Sequence, residues 1–284
     1  MYAINFLILV LLSAIIQQSR CAFIDYDDIR DPFDFIWTSR DPLLSQPNKA
    51  CYARLGSQLM EGVCMTDVHC ALSKGQSRRN STCGLLSNCC IYTGSCGDTT
   101  NSKVSYFVSN NNLPVGASCT NNVRIVNRNI CQLKIDILSM TLESPDAVGL
   151  CSTERFEVPN TNVPVICGEN SNQHLYAHLN LMNSRQIGLT ITSQSPTKQF
   201  LIKVTQLYCP RMTDLFNLRK NLPAMIRDYP MLAPANCDQY YTAPSGRFKS
   251  IGYSDNSLIR STYSRNLRYT ICFKRPVQAS ECIG

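Results

Sequence analysis

The chain has 284 residues, a net charge of +7 and 16 cysteines, a length that allows about two compact units at roughly 150 residues each. With so many cysteines and no C-x-x-C pair, the composition argues against a reducing cytosol and against a zinc ribbon, and it points to disulfides in an oxidising compartment. The histidines His69, His174 and His178 are too few and too scattered for a structural zinc site.

In chain order, the first element is the apolar run FLILVLLSAII from Phe6 to Ile16, well short of the roughly 20 residues that a membrane span needs. Residues 1–21 read as a signal peptide cleaved between Ser19 and Ala22, so the protein is expected to be secreted and extracellular, with no transmembrane span. The competing reading is a signal anchor. Residues 22–50 read as an acidic linker, because DYDDIRDPFDFIWTSRDP carries six Asp against Arg30 and Arg40, contains prolines and lacks a clean period. Phe33, Phe35 and Trp37 interrupt that charge, and the same stretch also reads as a short docking peptide.

Residues 51–95 hold Cys51, Cys64, Cys70, Cys83, Cys89 and Cys90, separated by 12, 5, 12, 5 and 0 residues. A unit this small buries too little apolar surface to fold without bridges. The sequon Asn80-Ser81-Thr82 lies in a polar loop between these cysteines and marks Asn80 as a glycosylation candidate. The spacing resembles the clip domain of arthropod extracellular proteins. That resemblance implies the pairs Cys51–Cys89, Cys64–Cys83 and Cys70–Cys90.

Across residues 96–209 the period becomes that of strands. Leu133, Ile135 and Ile137 alternate with Lys134 and Asp136, and RFEV, HLYAHLNL, IGLTIT and FLIKVTQLY read the same way between NNNLP, ESPD, NTNVP, MNSR and SQSPTK turns. Short alternating strands at this spacing predict an all-β, two-sheet antiparallel sandwich. Cys96-Gly97, the Tyr106-Phe107 strand, Cys119, the LKIDI strand, and Cys151 followed by Cys167-Gly168 together resemble a CUB domain. More narrowly, CQLKIDI, PVICGENSNQHLY and FLIKVTQLYC resemble insect secreted CUB-domain proteins with an N-terminal clip-like segment. The resemblance implies the bridges Cys96–Cys119 and Cys151–Cys167, with Cys131–Cys209 as an additional pair.

After a linker at 210–236, NCDQYYTAPSGRFKSIGY and NLRYTICFKR look like the front half of a second CUB-like unit, 237–284, with Cys237 paired to Cys272. A sandwich needs its remaining strands to cover its open face, so this unit is expected to be truncated. Removing Cys21 with the signal leaves fifteen cysteines and makes Cys282 the expected orphan, whereas retaining Cys21 gives it a partner.

The sequence contains no Gly-x-Ser-x-Gly or Gly-Asp-Ser-Gly-Gly motif, and His69 lies inside the six-cysteine module, so no serine-protease triad is assembled and no enzymatic activity is expected. His174 and His178 share a strand face with Tyr176 between them and read as polar groups on a hydrogen-bonding face. Where the CUB resemblance implies a Ca²⁺-ligating Asp stands Glu154, and Ser193-Gln194 replaces its Ser-Asp pair. The loss of a carboxylate charge predicts no Ca²⁺ site there, and no cofactor is expected.

Residues 209–284 carry 11 basic and 5 acidic side chains, which leaves almost all of the net positive charge in the tail. Arg260, Arg265, Arg268, Lys274 and Arg275 are the candidates for anion binding. The expected function is that of a non-enzymatic extracellular interaction protein that binds another protein or an anionic glycan, with nucleic acid excluded by the extracellular address. The alternative is a non-catalytic regulator of an extracellular serine protease cascade.

Overall fold

The computed structural model describes residues 49–79, 81–109, 113, 115–127, 129–179, 185–209, 228–254, 262–265 and 267–274. The signal segment, nearly all of the acidic stretch, Asn80, Arg260, Arg275, Cys21 and Cys282 lie outside them. The fold is almost entirely β and rich in disulfides.

The six-cysteine module is a small sheet of β1 (Ala50–Leu55), β2 (Gln58–Met65), β3 (Gln76–Arg78) and β4 (Asn88–Ile91), in the order β1-β2-β4-β3, with the short helix α1 (Asp67–Leu72) over it. Thr66 caps α1 by accepting from His69 N. The adjacent cysteines of β4 point to opposite faces because strand side chains alternate. Cys89 bonds Cys51 among Met60, Ile91 and the Cys64–Cys83 bridge. Cys90 bonds Cys70 in a separate cluster with Met65 and Tyr92. Gly75 passes so close that an added Cβ would lie 2.2 Å from Cys90 Sγ.

From β4 the chain runs directly into the sandwich through β5 (Thr93–Gly94). The first sheet contains β5, β7 (Val104–Val108), β9 (Ile130–Met140), β11 (Gln173–His178) and β13 (Phe200–Tyr208), in the order β11-β9-β13-β7-β5. The second contains β6 (Thr99–Thr100), β8 (Ser118–Arg124), β10 (Arg155–Glu157) and β12 (Gln186–Thr192), in the order β10-β12-β8-β6. Pairing is antiparallel except where the short strands β5 and β6 join β7 and β8 in parallel.

The inward faces fill one core. Leu133, Ile135 and Ile137 of β9, with Phe107, Leu175, Ile202 and Val204 from the same sheet, meet Cys119, Val123, Phe156, Leu189 and Ile191. The sandwich bridges are Cys96–Cys119, Cys151–Cys167 and Cys131–Cys209, the last joining the start of β9 to the residue after β13. Gln206 is fully buried, and its amide is satisfied by Val126 N, Ser102 O and Arg124 O.

The outer face of the five-stranded sheet is covered from two sides. On one side the cysteine module docks: Tyr106 Oη accepts from Glu61 N at 2.6 Å, and Lys203 Nζ lies 2.5 Å from Glu61 Oε2. On the other side lies the tail. Asp228, at the end of the stretch read as a linker, is fully buried, bound by Lys103 Nζ at 2.7 Å and by Tyr208 N at 2.9 Å. Gln132 imitates a strand partner for Ala233, donating to its carbonyl and accepting from its amide.

The tail pair β14 (Gln239–Tyr241) and β15 (Ile271–Phe273) is parallel and is linked by Cys237–Cys272. It shields the open edge of β11, where Asp238 O accepts from Tyr176 N, and an open edge would otherwise invite foreign strands. Ile251 is part of the main sandwich core, and Leu267 and Tyr269 pack against it. The residues that resemble the front of a second unit therefore contribute to the first.

Candidate functional site

The two histidines of β11 bring the tail into place. His178 Nε2 lies 2.9 Å from Cys237 O, and His174 Nε2 accepts from Tyr240 N at 3.0 Å. Burial lowers the pKa of His174, and the Lys134 ammonium nearby adds to that effect. The ring is therefore neutral near pH 7, as the accepted hydrogen bond requires.

His174 also begins an aromatic cluster. Its ring lies 4.8 Å from Tyr241 in an edge-on contact. Tyr241 and Phe273 are register partners in the parallel pair, so their side chains leave the same face and the rings stack at 5.6 Å. Phe248 returns from the following loop to meet Phe273 edge-on at 5.3 Å. Phe248 and Phe273 remain 55% and 58% exposed, and exposed rings gathered in one patch mark a candidate interaction site. Burial pushes the Tyr241 phenol up, with Tyr269 adding to the effect, so it stays neutral.

Cations neighbour these rings along the chain. Arg247 and Lys249 flank Phe248 in sequence, Lys274 follows Phe273, and all three are exposed. The acidic groups of the described tail, Asp228 and Asp238, are both buried, and Asp238 accepts from Asn162 Nδ2 and Thr270 N. Among the described tail residues the exposed charge is thus entirely cationic. Of the sequence candidates, Lys274 lies at the aromatic cluster and Arg268 is exposed three residues before β15. Arg265 lies apart from the cluster: its amide donates to Gly149 O at 2.6 Å.

Tyr241, Phe248 and Phe273 escaped the sequence reading. The available signal was the pattern of aromatics beside cations in RFK and CFKR. What the pattern does not reveal is that the two segments meet.

A second polar cluster lies at the loop end of the sandwich. The Glu154 carboxylate is buried and accepts from Glu143 N, Ser193 Oγ and Gln194 N, with Lys198 Nζ 2.9 Å from Oε2. Burial raises its pKa, but Lys198 and the three other donors outweigh that and hold it below the ordinary carboxylate value. An internal ammonium is thus the cation at Glu154. The sulfurs of Cys51, Cys64 and Cys83 also lie within 4.8 Å of one another, but all are bonded in disulfides and offer no thiolate to a metal.

Residues 234–282 match the animal CUB domain family. Among solved structures, the chain is similar to the full extracellular region of zebrafish Gpr126/Adgrg6, at 20% identity and TM-score 0.32, over 41% of this chain and 15% of that one. It is also similar to the CUB1-EGF-CUB2 domains of rat MASP-1, at 15% identity and TM-score 0.31, over 58% of this chain and 57% of that one. A third similarity is to the MASP-1 CUB2 domain bound to Ca²⁺, at 11% identity and TM-score 0.29, over 39% of this chain and 98% of that one. The chain therefore spans only about 15% of the zebrafish protein. No curated protein matches it. Among the described residues no helix is long and apolar enough to cross a membrane.

Proposed function

We propose that this protein is a secreted, non-enzymatic binding protein that recognises an anionic partner, either an acidic protein surface or an anionic glycan, through its tail. The observation that carries this reading is the exposed cluster of Tyr241, Phe248 and Phe273 between Arg247, Lys249 and Lys274. Aromatic faces supply apolar contact, and exposed cations supply attraction and orientation. The Cys237–Cys272 bridge ties the strands that carry Tyr241 and Phe273, and such restraint lowers the ordering cost of binding. The match of 234–282 to the animal CUB family supports an extracellular interaction role and falls on this same tail.

The test is retention on immobilised heparin across a salt gradient, with an immobilised acidic peptide as the parallel arm. Phe248→Ala and Lys274→Glu should each elute at lower salt than the parent. Equal elution of parent and both variants would overturn the assignment of this surface.

A further inference from the structure

The structure shows a basic aromatic surface, and the sequence carries a peptide of opposite charge and matching apolar content. Asp25, Asp27, Asp28, Asp31, Asp34 and Asp41 surround Phe33, Phe35 and Trp37. We propose that residues 25–41 dock on the Tyr241–Phe248–Phe273 surface of the same chain, so that the protein carries its own competitor for the recognition site. The inference rests on the reading of that surface as a recognition site.

Three observations support this occupant. The first is charge: the segment has six Asp against two Arg, whereas Arg247, Lys249, Arg268 and Lys274 are exposed on the described tail and Asp228 and Asp238 are buried. The second is periodicity. Phe33, Phe35 and Trp37 are spaced by two, which in an extended peptide places all three rings on one face. That face would cover Phe248 and Phe273 while Asp31 and Asp41, on the same face, reach the cations at the rim.

The third is reach. The described chain begins at Lys49, beside β1, and the module of β1 covers the same sheet face that the tail covers. Across that face Glu61 holds Lys203, Lys203 is the register partner of Asp136, Asp136 is the partner of His174, and His174 touches Tyr241. Two strand spacings of about 4.8 Å separate Lys203 from His174, so module and aromatic cluster lie on the order of 20 Å apart. Residues 42–48 span up to about 25 Å when extended, enough to bridge them.

Trp37 is the only tryptophan of the chain and therefore reports on the segment directly. In the full secreted protein its emission should be blue-shifted and poorly quenched by acrylamide, independently of protein concentration. Phe248→Ala/Phe273→Ala should red-shift the emission and raise the quenching severalfold, as should about 1 M salt, where screening acts within about 3 Å. Asp31→Asn/Asp41→Asn should do the same from the other partner, without touching a packed residue of the sandwich. A water-exposed Trp37 in the parent would overturn the proposal, as would a buried Trp37 that ignores both sets of variants or becomes exposed on dilution. Heparin retention is read separately, on the parent and on the variant whose segment is released: retention of a parent with an exposed Trp37 overturns the docking alone, whereas a responsive, buried Trp37 with no retention even of the Asp31→Asn/Asp41→Asn variant upholds the docking and overturns the glycan reading.

Discussion

The Nε2 atom of His174 accepts a hydrogen bond from Tyr240 N at 3.0 Å, so a neutral imidazole on β11 holds the backbone of the tail strand β14. Protonation would put a second donor where an acceptor is needed.

Burial and then Lys134 depress the pKa of His174 in the folded state below its ordinary 6.5. The unfolded chain therefore binds the proton first. The stability contributed by this contact is fully present above about pH 6.5 and is lost progressively as the pH falls below it. Thermal unfolding between pH 7.5 and 5 should show the loss, and His174→Gln should flatten that part of the profile. Amide exchange of Tyr240 should quicken at pH 5 in the parent.

Glu154 and Lys198 should behave as a pair. Lys198→Met leaves a buried carboxylate without its ammonium and should destabilise by about 2–4 kcal/mol, while Glu154→Gln/Lys198→Met should recover part of that. The folded pKa of Glu154 is depressed, so its contribution is present above the ordinary 4.5 and disappears as the pH falls through the lower folded value. Urea titrations at pH 7 and pH 3 should separate parent and variants at the first and narrow the gap at the second. Because the four donors already occupy this carboxylate, a calorimetric Ca²⁺ titration of the parent should show no binding at this site.

Gly149 sits at φ +83° beneath the returning tail, and a Cβ there would approach Arg265 Cβ to 2.9 Å and Arg265 N to 3.0 Å. Gly149→Ala should cost at least about 1 kcal/mol from the backbone conformation alone. It should also lift the 262–265 segment. Faster exchange of the Arg265 amide, which donates to Gly149 O, is the local readout.

Asp228→Asn should destabilise by about 3 kcal/mol, because the substitution removes the carboxylate charge that Lys103 binds and weakens the acceptor for Tyr208 N. Lys103→Met/Asp228→Leu, which removes both charges, should be closer to the parent in urea unfolding than the single variant.

Several features were legible in the primary structure. The inward set Leu133, Ile135 and Ile137 could be read from a period of two, and β13 spans the FLIKVTQLY run that was identified as a strand. An all-β, disulfide-rich fold is what the structure shows. His174 and His178 were placed on one strand face, which is where β11 presents them, but their targets, Tyr240 N and Cys237 O, lie about sixty residues further along the chain. Similarly, RFK and CFKR each displayed an aromatic beside a cation, yet nothing local brings Phe248 to Phe273.

The sequence by itself determined strand character and dependence on bridges, because alternation and cysteine content act within a few residues or through composition. Only the tertiary structure decided that the tail closes the first sandwich. Ile251 enters its core and Asp238 covers the β11 edge, contacts that arise because that edge and core are open at that place. The aromatic surface follows from the same closure: Tyr241, Phe248 and Phe273 meet beside His174 because the tail lies against β11.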